Sequence, residues 1–261
     1  MNILCIGDIV GSAGCEFLRA QLPGLKSRLG VELVVANGEN SADGNGMTPA
    51  SVGHIFTSGV QAITGGNHSF RRREVYPALE AQETLLRPYN SHPGAPGKGL
   101  CIVDMGRMLV AVVNLLGSAY LDCFACPFDA AEAAVREAKE LGARVILVDF
   151  HAEATSEKRA MGFLLDGQVS AVFGTHTHAQ TADEQILPAG TGYISDLGMT
   201  GPFVSVLGVK PELAIKKLRT KLPVRFENAP GPCALGGCVF EIDEQSGLTR
   251  DARRVWILEN A

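Results

Sequence analysis

Nowhere in the 261-residue chain is there an uninterrupted apolar run approaching the roughly 18–20 residues needed to span a bilayer, which argues against a transmembrane protein. The opening, Met1-Asn2-Ile3-Leu4-Cys5-Ile6-Gly7-Asp8, also lacks a basic region followed by a long apolar run and a small-residue cleavage site, so the cytoplasm is the expected location. Positive charge is sparse. With 23 Lys and Arg against 28 Asp and Glu, the formal charge is -5, which argues against an extended nucleic-acid surface but not against a small anion held where positive charge is local. Fixed-period repeats, heptads and low-complexity tracts are missing, so solenoids and coiled coils are set aside. The seven cysteines are odd in number and scattered, which fits reduced thiols better than a disulfide framework. Cys123 and Cys126 have the spacing of a zinc hook, but no second Cys or His pair follows, and packing is the reading adopted. No P-loop Gly-Lys-Ser/Thr is present, and Gly7, Gly11 and Gly14 are not spaced as G-x-G-x-x-G, so a Rossmann dehydrogenase is disfavoured.

The chain does have an ordinary globular composition, 46% hydrophobic and 20% charged, and enough length for a large core in one domain over 1–261. Its first half alternates strand-like and helix-like segments. Strands are expected at 3–6, 33–36 and 61–64, and helices at 17–29, 49–58, with Thr48 as N-cap and Pro49 first, and 74–81. After a Pro- and Gly-rich loop at 88–99, the runs 100–104 and 108–114 form a hairpin around Met105-Gly106-Arg107. An Ala-rich helix at 130–141 precedes a buried strand at 145–150. Further strands are expected at 171–173, 191–195, 234–242 and 253–258, with a helix at 211–220. The sum is an α/β domain with mixed sheets.

Five apolar strands end in residues able to bind metal or move protons: Gly7-Asp8, Gly38-Glu39-Asn40, Gly66-Asn67-His68, Phe150-His151 and Gly174-Thr175-His176-Thr177-His178. In open α/β sheets ligands collect beyond the carboxyl ends of the strands, so the five segments are candidates for one crevice. Singly each is weak, since Asp8 reads equally well as a turn or cap residue, Asn40 and Asn67 are more often turn residues than ligands, and a lone histidine such as His151 is more often hydrogen-bonded in or near a core than metal-bound. In an extended segment His176 and His178 share one side, whereas in a turn their rings can face different metals. Two carboxylates, Asp8 and Glu39, bring about -2 against +4 from two divalent cations, leaving a locally positive site suited to a phosphate. Glu39 is the natural bridge. His68, with an ordinary pKa near 6.5, is assigned as general acid, with a plain hydrogen-bonding or ligand role as the alternative. Arg71-Arg72-Arg73 reads as a solvated helix start from which one guanidinium could reach phosphate.

On the segments Gly7-Asp8-Ile9-Val10-Gly11, Ala36-Asn37-Gly38-Glu39-Asn40, Gly65-Gly66-Asn67-His68, Asp149 to Lys158, Gly174 to His178 and Asp196 to Gly201, the chain resembles the YmdB-type bacterial metallophosphoesterases of the calcineurin-like superfamily. The resemblance spans nearly the whole chain. It implies an α/β/β/α sandwich of two mixed sheets with a dimetal centre at the strand ends. It also implies a metal-dependent phosphoric diester hydrolase acting on 2',3'- or 3',5'-cyclic nucleotides through a metal-bound hydroxide. By the same resemblance Asp8, Glu39, Asn40 and His178 hold one metal, Glu39, Asn67, His151 and His176 hold the other, and His68 gives the proton. Iron or manganese is the implied metal, with zinc or magnesium also compatible with the ligands. The expected partner is a small nucleotide phosphodiester, and self-association is left open. The wider superfamily has a histidine where Val10 stands and an acidic residue where Ser69 stands, so Asn40 is expected to compensate for the first while His68 lacks its usual orienting partner. Phe70-Arg71 also departs from the aromatic-acidic pair of this branch, which bears on substrate preference or on the tuning of His68. The rival class is a metal- and nucleotide-binding regulator with the same ligands and little turnover.

Overall fold

The apolar runs become strands of two stacked sheets, and the residues of each strand divide between two cores by their period of two. The computed structural model describes residues 1–259. In chain order the elements are β1 (Asn2–Ile6), β2 (Asp8–Ile9), α1 (Gly11–Leu29), β3 (Val31–Asn37), α2 (Pro49–Thr57), β4 (Ala62–Thr64), a 3₁₀ turn (Arg73–Val75) leading into α3 (Tyr76–Ala81), β5 (Leu100–Asp104), β6 (Leu109–Leu116) and α4 (Pro127–Glu140). They continue with β7 (Val145–His151), α5 (Thr155–Leu164), β8 (Ala171–Thr175), β9 (Gln185–Ile186), β10 (Gly192–Ile194), β11 (Met199–Pro202), α6 (Pro211–Thr220), β12 (Cys233–Ile242) and β13 (Thr249–Leu258).

The seven-stranded sheet has the order β2-β11-β12-β1-β3-β4, with β13 also paired to β12. The six-stranded sheet has the order β5-β6-β7-β8-β10-β9. Both are mixed: β1, β3 and β4 run parallel beside antiparallel β12, and β6, β7, β8 and β10 run parallel between antiparallel β5 and β9. Ile3 and Cys5 of β1 face the second sheet and join Leu33, Val112, Leu147 and Phe173 in the central layer. Leu4 and Ile6 face the other way, beneath Leu18, Leu22 and Leu25 of α1 and Ile55 of α2. On the far side Val113, Ile146 and Val148 pack under Ala131, Ala134 and Val135 of α4 and Met161 of α5. The layers are therefore helix, sheet, sheet, helix, in agreement with the resemblance.

Three differences from the sequence reading have local causes. Helix α1 begins at Gly11, well before Phe17, because its first turn packs against β11 through small residues. A Cβ on Gly14 would lie 2.3 Å from the Thr200 carbonyl oxygen. The expected helix at 74–81 is a 3₁₀ turn followed by a short α3 with Pro77 in its first turn. Helix α5 has no counterpart in the sequence reading, because its buried face includes the charged Glu157 and Lys158 and so carries little apolar period. The short strands β2, β9 and β11 also have no counterpart in the sequence reading, whereas Thr48 caps α2 through the Ser51 N–H at 3.0 Å, and β5 and β6 form the expected hairpin.

Parallel pairing within β1, β3 and β4, and within β7 and β8, puts the polar carboxyl ends of five strands at one edge of the sandwich. The two sheets are tied there by side chains. Asn37 Nδ2 donates to Asp149 at 3.1 Å, and the Gly65 N–H donates to Asn114 Oδ1 at 3.0 Å.

Candidate metal centre

Glu39 is wholly buried just beyond β3, and its carboxylate is the hub of the strand ends. Its Oε1 lies 3.1 Å from His151 Nε2, 3.2 Å from His68 Nδ1 and 3.2 Å from Asn40 Nδ2, while Oε2 accepts the His68 N–H at 2.8 Å. Around His151 Nε2 stand Asn67 Oδ1 at 3.0 Å and His176 Nδ1 at 3.1 Å. A second group adjoins this one: His178 Nε2 is 3.5 Å from Asp8 Oδ1 and 3.3 Å from Asn40 Nδ2. All seven expected ligands and His68 therefore meet at one edge. The segment after β8 turns instead of staying extended, with φ of 98° at His176 and 62° at His178, so the two rings face different neighbours.

Each of the three imidazoles His151, His176 and His178 has one nitrogen beside an oxygen acceptor, which favours turning the lone pair of the other inward, an arrangement common in metal-binding histidines. Thr175 Oγ1 donates to Asp149 Oδ1 at 2.7 Å and so accepts from His151 Nδ1 at 2.9 Å. His176 Nε2 lies 3.1 Å from a Glu153 carboxylate oxygen, and His178 Nδ1 donates to the Leu207 carbonyl at 3.1 Å. A single proton on His151 Nε2 cannot satisfy Glu39, Asn67 and His176 at once, whereas a cation among them can. The oxygen and nitrogen donors of Glu39, His151 and His176 all lie within 4.8 Å of one another, so the residues present fit a metal ion.

The electrostatics agree with that fit. Burial alone would raise the Glu39 and Asp8 carboxyls, but His151 and His68 hold the first well below the usual carboxylate range, and His178 lowers the second. Burial disfavours charge on His151, yet Glu39 outweighs it and pushes the imidazole up to about 9. Burial and then repulsion from His151 push His176 down to about 4. His178 is raised, because Asp8 overcomes its burial.

Sequence reasoning overlooked the groups that aim these side chains. Asn37, Asp149 and Thr175 are buried polar residues inside strands, where apolar neighbours mask them. Lys158 and Asp196 form a buried ion pair at 2.7 Å; Lys158 also donates to the Thr175 carbonyl at 2.9 Å, and Asp196 accepts the Thr177 N–H at 3.1 Å. Together they fix the turn carrying His176 and His178. The orienting partner that Ser69 does not supply to His68 is Asn40, whose Oδ1 lies 3.0 Å from His68 Nδ1. Ser69 instead accepts the Gly66 N–H at 2.8 Å and closes the turn. Arg72 clamps the 43–45 loop by donating to the Asp43 and Asn45 carbonyls, so its guanidinium is engaged by protein.

Comparison with known proteins gives a consistent picture. The family model described as YmdB-like protein matches residues 4–255. The 2',3'-cyclic-nucleotide 2'-phosphodiesterase of Bacillus subtilis is 44% identical over 257 residues, covering 98% of this chain and 97% of that protein. A crystal structure of a hypothetical protein from Thermus thermophilus superposes with a TM-score of 0.93 at 36% identity, covering all of both chains. That of a novel phosphatase from Mycoplasma pneumoniae superposes with a TM-score of 0.92 at 31% identity, covering 100% of this chain and 94% of the other.

Proposed function

The chain belongs to the YmdB-like protein family, and from that premise and its site geometry we propose that it is a dimetal phosphodiesterase that opens 2',3'- or 3',5'-cyclic nucleotides. The observation that carries this is the convergence of His151 Nε2, His176 Nδ1 and Asn67 Oδ1 beside the buried Glu39 carboxylate. Glu39, Asn67, His151 and His176 would hold one cation, and Asp8, Glu39, Asn40 and His178 the other. When bound, a pair of divalent cations, iron or manganese in the favoured case, supplies Lewis acidity toward phosphoryl oxygens and acidifies water.

The protein groups do the rest. With only two carboxylates among otherwise neutral imidazoles and amides, the ligand set would leave about half the charge of two divalent cations uncancelled, so the loaded site would attract an anion despite the net acidic chain. Asn40 directs its amide nitrogen at Asp8, Glu39 and His178 and its oxygen at His68. To hold a cation beside Asp8 and Glu39, Asn40 would present its oxygen there and its amide nitrogen to His68, the reverse of the orientation seen. Its N–H would then donate to His68 Nδ1, which would leave the proton of that ring on Nε2. From there His68 protonates the departing ester oxygen.

Protein loaded with Mn²⁺ is expected to hydrolyse bis-p-nitrophenyl phosphate and to convert adenosine 2',3'-cyclic phosphate to a single monophosphate isomer identified by chromatography. Full metal occupancy with no hydrolysis of any cyclic nucleotide would contradict the proposal and favour a metal- and nucleotide-binding regulator.

A further inference from the structure

Against Gly66 and Asn67 lies a cavity of about 280 Å³, whose other walls include Phe70, His92, Asp122 and Phe124. It is smaller than the roughly 300–1,000 Å³ of whole-ligand pockets, so it suits one end of a substrate whose other end is at the metal centre. None of the described residues lining it is a lysine or arginine, and Asp122 contributes a carboxylate, so a phosphate is not the group it receives.

The outer wall is a loop pinned at both ends. At its start Ser118 N–H and Oγ each donate to Glu157 at 2.7 Å. At its end the Ala125 N–H donates to the Asn90 carbonyl at 3.2 Å, and Asn90 Nδ2 donates back to the Ala125 carbonyl at 3.1 Å. Between the pins Phe124 remains 63% exposed, a large apolar ring that folding alone does not use. The His92 ring meets it edge-on at 4.8 Å and 73°. His92 Nδ1 accepts the Gly94 N–H at 3.0 Å, which leaves Nε2–H as a free donor in the neutral ring. Two rings in edge-to-face contact, an N–H donor and a carboxylate acceptor beside the proposed metal centre match the stacking face and polar edge of a nucleobase.

We propose that this cavity is the nucleobase subsite, with Phe124 as its stacking platform and His92 and Asp122 reading the edge of the base. The assignment rests on the cyclic-nucleotide reading of the metal centre. It is tested with Mn²⁺-loaded wild type, Phe124→Ala and Phe124→Trp on adenosine 2',3'-cyclic phosphate and on base-free glycerol 1,2-cyclic phosphate, with adenosine 3'-monophosphate binding measured by calorimetry. In Phe124→Ala the ratio of kcat/KM for the adenosine substrate to that for the glycerol substrate falls about tenfold, chiefly through KM, as expected for one lost base–aromatic stack, and nucleotide binding weakens by a similar factor. Phe124→Trp keeps the wild-type ratio. A ratio within about twofold of wild type in Phe124→Ala, with binding unaltered, overturns the subsite while leaving the hydrolytic reading intact. If wild type cleaves neither substrate yet binds the monophosphate in a Phe124-dependent way, the subsite stands and the hydrolytic reading falls; neither cleavage nor binding overturns both.

Discussion

At His68 the imidazole is held from one side, by Asn40 Oδ1 at 3.0 Å and Glu39 at 3.2 Å, while part of the ring reaches solvent. A proton donor needs that combination of fixed direction and access. His68→Ala should therefore lower kcat by about 10²- to 10⁴-fold with metal content retained, measured by cyclic-nucleotide turnover alongside elemental analysis. Equal loss of metal and turnover would make His68 a ligand instead. His151 makes a different prediction. Its proton, held by Glu39 up to about pH 9, sits on the nitrogen that a cation needs, so metal binding near neutral pH must release it. Calorimetry in two buffers of unlike ionisation enthalpy should report that release, and identical heats in both would contradict it.

Among the elements, α5 and the turn after β8 depend on one another through Lys158 and Asp196. Both side chains are 2% exposed, so truncating one leaves the other charged and unpaired in the interior. Asp196→Ala should cost about 3–5 kcal/mol in denaturant unfolding. Because Asp196 also holds the Thr177 N–H, the same variant should weaken metal affinity by about 10- to 100-fold, as seen when supporting groups of a metal site are removed. Unaltered affinity at reduced stability would show that the ion pair serves only the fold. This dependence also explains what the sequence reveals and what it hides. Asp8, Glu39, Asn67 and His151 are legible because each interrupts an apolar run at its carboxyl end, a pattern that repeats. Helix α5 is not, since a helix that buries Glu157 and Lys158 has no clean apolar stripe. Strands β2 and β11, only 2 and 4 residues long, are too short to show a period. The turn at His176 and His178 is open to two readings, because spacing alone does not reveal positive φ.

Taken whole, the molecule concentrates opposed charges at one edge, and its stability should depend on pH accordingly. In metal-free protein His151 binds its proton more tightly folded than unfolded, so its contribution is complete below its ordinary value of 6.5 and is lost as pH rises toward about 9, with His178 acting in the same direction. His176 has the opposite sign: its depressed value means stability falls as pH drops from 6.5 toward about 4. Asp149, raised by burial to about 6, opposes His176 on the acid side, so the clear expectation is on the alkaline side: the thermal midpoint of metal-free protein should decline as pH rises from 6.5 toward 9, and that decline should vanish once metal displaces the His151 proton. A midpoint that rises from pH 6.5 to 9 without metal would contradict these assignments. The most direct test of the central claim, that the five strand ends form a dimetal site, is anomalous diffraction from crystals grown with Mn²⁺. Two peaks about 3.5–4 Å apart, both within bonding distance of Glu39, are predicted; a lone peak, or peaks remote from Glu39, would contradict it.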